Sequence, residues 1–147
     1  MKIGKNLNRL SLHDARFENA ERVYDTLTLT FDWAKLESAV ELGIVEGVIL
    51  GQTVLQIIGV RNEKLKAYSD DKNYTLIDVP NNISSYWSEI GTTEINDENK
   101  TLQLGGFLEK EGNYFWSEWS LNYESCEIEW NSYVTVAEWE KGKLATD

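Results

Sequence analysis

Apolar and polar residues alternate with a period of two through much of this chain. Between Asp25 and Trp33, Leu27, Leu29 and Phe31 alternate with Thr28, Thr30 and Asp32, the mark of a strand with one buried face. The segment Leu12 to Val23 reads as its partner, which predicts a hairpin turning near Glu21 to Asp25. Toward the other end, Cys126, Ile128 and Trp130 share one face, and Glu127 and Glu129 take the other. Leu102 to Leu108, Asn113 to Tyr123, Ser125 to Trp130 and Ser132 to Trp139 all read as strands, with Asn96 to Lys100 as a turn. Lys64 to Tyr68 and Tyr74 to Val79 flank the polar turn Ser69 to Asn73. Val45 to Val60 is β-branched and aliphatic, broken by Gly47, Gly51 and Gly59, and reads as one bent strand or two short ones.

Helical spacing is scarce. Leu36, Ala39 and Val40, with Gly43 as a stop signal, predict a short helix over Ala34 to Leu42. Ile83 to Ile90 suits one helical turn or two after the break at Pro80, and Lys141 to Asp147 reads as a loose tail. The expectation is one domain spanning 1–147, mainly β (α+β with little helix), built from about eight strands. Regular short strands suit an antiparallel sandwich, an open barrel or a curved sheet, with one or two short helices.

Composition narrows the function classes. Asp and Glu number 25 against 14 Lys and Arg, a net charge of −11. That field repels phosphate backbones and anionic membranes, so neither nucleic acid nor a membrane is an expected partner. It attracts a basic protein and speeds encounter with it, although simple solubility is a competing reason for the charge. One cysteine, Cys126, allows no intrachain disulfide, and the start Met1 to Leu7 has no apolar run of signal-peptide length. A cytoplasmic location is expected.

Signatures of catalysis are few. With only His13 and Cys126, the chain cannot supply the four ligands of a structural zinc site, and no metal or cofactor is expected. His13-Asp14 is the one place where an imidazole sits beside a carboxylate. On a strand the two side chains would point to opposite faces, so the pair reads as a structural turn or cap. No nucleophile elbow, phosphate-cradling loop or dinucleotide fingerprint is present. Trp116-Ser117-Glu118-Trp119-Ser120 matches the cytokine-receptor tryptophan-serine signature. Arg9, Arg16, Arg22 and Arg61 all lie outside the C-terminal half, so the cation–π ladder of that family has no arginines here. An enzyme is not the expected class.

Aromatic residues concentrate near the C-terminus: Tyr114, Phe115, Trp116, Trp119, Tyr123, Trp130, Tyr133 and Trp139. Alternation places about half of them in the core and leaves one or two tryptophans exposed. Glu118, Glu124, Glu127 and Glu129 fall in the same region. Trp116, Glu118, Trp119, Glu124, Glu127 and Glu129 are therefore the candidate partner-binding residues, an acidic face bearing indoles that would dock a basic surface. The alternative use of such a face is to stack a carbohydrate or another small ligand.

Leu10 to Phe17, with its Leu-His-Asp-small opening, Leu29-Thr30-Phe31-Asp32-Trp33, and the Glu-rich strand Glu124 to Trp130 together resemble a family of small bacterial immunity proteins of polymorphic toxin systems, immunity protein 50, or a related uncharacterised small bacterial family. The resemblance covers about a third of the chain and none of the stretch Ala34 to Gly91. It implies a cytoplasmic protein that binds and neutralises a cognate toxin, and it carries over no toxin-contacting residue.

Overall fold

A computed structural model describes residues 1–87 and 89–146. Ser88, within the expected helical turn, and Asp147, in the expected tail, lie outside the described residues. Among the described residues, three antiparallel sheets make up the fold, and none closes into a barrel. The first contains β1 (Lys2–Ile3), β3 (Phe17–Val23), β4 (Thr26–Phe31), β7 (Thr53–Ile58) and β13 (Ser125–Trp130) in the order β1-β13-β7-β4-β3. The second contains β8 (Arg61–Tyr68), β9 (Tyr74–Ile77), β10 (Thr92–Asn96), β11 (Thr101–Lys110) and β12 (Asn113–Asn122) in the order β10-β11-β12-β8-β9. The smaller third joins β2 (Leu10–Ser11), β5 (Ala34–Leu36), β6 (Val48–Leu50) and β14 (Tyr133–Thr135). Among the described residues, no helix is long and apolar enough to cross a membrane.

The alternation that predicts β4 is borne out: Leu27, Leu29 and Phe31 are buried and the threonines between them are not. Its hairpin with β3 turns at Tyr24-Asp25, where Tyr24 takes a left-handed φ of 55°. The β11–β12 hairpin turns at Glu111-Gly112, both with positive φ. That backbone matches the right-handed twist of the flanking strands.

Three expected elements differ. Ala34 to Leu42 is not a helix: Ala34–Leu36 is strand β5, hydrogen-bonded between β2 and β6, and only Val40–Leu42 makes a 3-10 turn. Cross-strand pairing on both sides satisfies the backbone of β5, and an antiparallel bridge in which Ala39 and Ile44 exchange backbone hydrogen bonds holds the residues after it in a turn. The strand expected from Leu12 to Val23 breaks at Leu12 to Arg16, where Ala15 N–H donates to Leu12 O and Asp14 has a φ of 64°. Val45 to Val60 forms two short strands, one of the two readings expected for it, and they lie in different sheets. Ser132 to Trp139 begins as β14 but ends as helix α1 (Val136–Glu140).

Helix α1 starts at a capping box. Thr135 Oγ1 accepts from Glu138 N–H, and the Glu138 carboxylate accepts from Thr135 N–H. A hydrogen bond from Lys143, then the one from the Thr135 backbone, holds the Glu138 carboxyl down at about 2, below its ordinary 4.5. A depressed carboxyl supports the fold above its unfolded value and loses that support as pH falls through the folded one. The helix is expected to persist above pH 4.5 and to fray as pH drops toward about 2. Amide exchange at Glu138, corrected for its intrinsic pH dependence, reads this. An unchanged protection factor down to about pH 2 would refute it.

One hydrophobic core joins the sheets. An aromatic chain crosses it from Phe31 to Phe17, Trp87 and Trp119, with successive ring centroids 4.7, 6.4 and 6.0 Å apart. Trp119 belongs to the second sheet and Phe31 to the first, so Trp87, delivered by the loop before β10, wedges between them.

Candidate functional site

The second sheet buries one face and shows the other to solvent. Leu102, Leu104 and Leu108 of β11 and Ser117, Trp119 and Leu121 of β12 point inward. By the period of two, Phe107, Tyr114, Trp116 and Glu118 point outward. Phe107 lies directly opposite Trp116, their rings 5.3 Å apart and nearly perpendicular at 79°. Tyr68 and Tyr74 form a second cross-strand pair on β8 and β9, with Lys66 Nζ 4.6 Å over the Tyr74 ring.

Glycine fixes the Trp116 ring. A Cβ at Gly91 would lie 2.9 Å from the indole Cη2, and one at Gly105 would lie 2.8 Å from Cζ2. The indole thus rests on bare backbone where Gly91 N–H donates to Gly105 O. A Cβ at Gly106 would come within 2.9 Å of Glu89 O, so that glycine brings the Glu89–Gly91 loop close to β11. Mid-strand glycines serve this purpose.

Phe107, Tyr114 and Trp116 form a ridge with a groove on each side. The first groove, of about 730 Å³, is also lined by His13, Asp14 and Glu89. The second, of about 670 Å³, takes in Tyr68, Asp70, Asp71 and Glu118. Among the described residues, no lysine or arginine lines either groove.

The carboxylates differ in freedom. Asp70 is committed to its turn, accepting from the backbone N–H groups of Lys72 and Asn73 and from the Asn73 side chain, which holds its carboxyl low. Glu118 accepts from Gln103 Nε2 at 3.0 Å. Partial burial and then the Glu118 charge push the Tyr68 phenol up. Glu109 does the same to Tyr114 by accepting its hydroxyl.

His13 and Asp14 meet, contrary to the strand-based expectation. They sit in a turn, and His13 Nε2 lies 3.4 Å from Asp14 Oδ2 with both side chains well exposed. Gly91 O is 2.7 Å from His13 Nδ1. A carbonyl only accepts, so Nδ1 carries the proton. Asp14 N–H donates to Ile90 O, and together these bonds fasten the His13-Asp14 turn to the loop beneath Trp116.

The remaining candidates are scattered. Trp119 is 1% exposed and its Nε1–H donates to Glu63 Oε2 at 2.7 Å, so it is a core residue and not a contact surface. Glu124, Glu127 and Glu129 follow the chain into the first sheet or the turn leading to it, where Lys2 approaches Glu127 and Glu129 at 3.6 and 4.0 Å. The acidic and aromatic face expected as one surface is two. Of the C-terminal aromatics, Trp119, Tyr123 and Trp130 are buried, while Tyr114, Tyr133 and Trp139 are exposed. Sequence reasoning missed Phe107, Tyr68, Glu89 and the glycines; the adjacent Gly105-Gly106 inside a strand was the available signal. In comparisons with known proteins, no family model, no curated protein and no solved structure matches this chain.

Proposed function

We propose that this is a binding protein whose outer face on the second sheet captures a basic protein partner. The observation that carries the reading is the aromatic ridge flanked by two grooves lined by acidic residues and, among the described residues, by no lysine or arginine. Aromatic side chains give large contact area at low entropic cost, and the net charge of −11 accelerates approach of a cationic surface. The resemblance to immunity proteins makes a toxin the leading class of partner, neutralised by covering its basic active site from a cytoplasmic pool.

A tagged chain purified from the cells that encode it is expected to recover a basic protein. Binding to that protein should weaken by about thirtyfold in Trp116→Ala, the range of an interface hot spot. Association should slow about tenfold as salt rises from about 0.05 to about 0.5 M, while dissociation changes little. Salt-independent association, or full affinity in Trp116→Ala, would defeat the reading.

The carbohydrate alternative has one observation in its favour. A polar trough of about 760 Å³ runs along the other end of the same face, lined by Asn8, Asn62, Asn96, Gln103, Ser120 and Asn122 among others. Side-chain amides suit sugar hydroxyls because they both donate and accept. The Phe107 and Trp116 rings, at 79°, offer no flat stacking platform.

A further inference from the structure

We infer that the groove between the His13-Asp14 turn and the Phe107–Trp116 pair is a socket for a guanidinium group, an arginine side chain of the basic partner. The inference rests on the reading of the outer face given above and names the chemistry its first groove selects. Two acidic residues, Asp14 and Glu89, and three aromatic residues, Phe107, Tyr114 and Trp116, line it. A cation between aromatic faces and carboxylates gains from both the ring quadrupole and the charge.

Cations of the protein itself do not fill the space. Arg16, whose backbone bridges to Glu89, does not line the groove. His13, its one basic side chain, is turned to Gly91 O and Asp14. The socket is also preformed, because Gly91 and Gly105 fix the indole and the His13-Asp14 turn is tied to Gly91 and Ile90. Preformed walls reduce the ordering cost of binding. A planar guanidinium can stack on a ring and still direct its donors at a carboxylate; an ammonium is a compact, strongly hydrated point charge. That difference favours arginine over lysine.

The test uses the ¹⁵N-labelled full chain, titrated with a capped tetra-arginine peptide and separately with capped tetra-lysine. The arginine peptide is expected to shift the Trp116 indole N–H and the Gly91 and Gly106 amides saturably, and to bind several-fold tighter than the lysine peptide. The double variant Asp14→Asn, Glu89→Gln should bind it about tenfold more weakly. Asparagine tolerates the left-handed backbone at position 14, so the turn should survive, and unchanged amide spectra elsewhere will show it. Saturable shifts confined to other parts of the sheet, undiminished affinity in the double variant, or equal affinity for the two peptides would overturn the socket and leave the basic-partner reading standing. No saturable shift anywhere on the outer face would overturn both.

Discussion

Replacing Trp87 with alanine is expected to lower the unfolding free energy by about 3–5 kcal/mol, as for other large aromatic-to-alanine changes in cores. Trp87 is fully buried between Phe17 and Trp119, so truncation leaves a void that the two sheets can only partly close. A hydrogen-bond network adds to the loss. The indole N–H donates to Ser117 Oγ at 2.7 Å, and the Ser117 hydroxyl donates to Gly106 O at 2.9 Å, all within the core. Trp87→Phe keeps most of the volume but removes the donor and leaves a smaller void, so it should cost less than the alanine change, about 1–3 kcal/mol.

Total stabilities of about 5–15 kcal/mol are usual, so the alanine variant should approach marginality and the phenylalanine variant should remain folded. Urea denaturation with a common m-value reads both. The site depends on the same wedge, because Trp87 bridges Leu108 by backbone and Tyr86 O accepts from Glu109 N–H. Trp87→Phe should therefore retain the groove spectrum of the native chain. A loss below about 1 kcal/mol in Trp87→Ala would show that the wedge is not what joins the sheets.

Much of this architecture was legible because strand parity is a local signal. Leu27, Leu29 and Phe31 declare a buried face by themselves, and Trp116 and Trp119, three apart on a strand, must point to opposite faces. Parity does not say which of the two is inside. Ser117 and Leu121, on the Trp119 side, are buried only because Trp87 and the other strands cover them. The acidic cluster misled for a different reason. Glu118 and Glu124 are near in sequence, but the chain leaves one sheet at Asn122 and enters another at Ser125. Thr92–Asn96 was missed because its one apolar inward residue, Ile95, makes no pattern, and the strand exists through its pairing with β11. The Thr135–Glu138 capping box was readable as a helix start, and the apolar residues around it were read as strand instead.

Alkaline pH is expected to weaken the fold through Cys126. The thiol is 4% exposed, and burial first, then the nearby Asp97 and Glu127 charges, push it up to about 12 from an ordinary 9.0. Below pH 9.0 the folded and unfolded chains both hold the proton, and the contribution is fully present. Between 9.0 and about 12 the unfolded chain ionises and the folded chain does not. Unfolding therefore becomes easier by up to about 1.4 kcal/mol for each pH unit. Tyr123, buried beside it and raised to about 12 by burial and then by Cys126, acts in the same direction above 10.0. Urea midpoints across about pH 8 to about pH 11 should fall steeply in the native chain and less steeply in Cys126→Ala, which isolates the thiol from the lysines and other tyrosines. At about pH 8 the folded protein should resist a thiol-directed disulfide reagent and react at once in urea, since the thiolate is the nucleophile and the site is covered. Parallel slopes in the two proteins, or rapid labelling of the folded chain, would mean that Cys126 is neither buried nor held protonated.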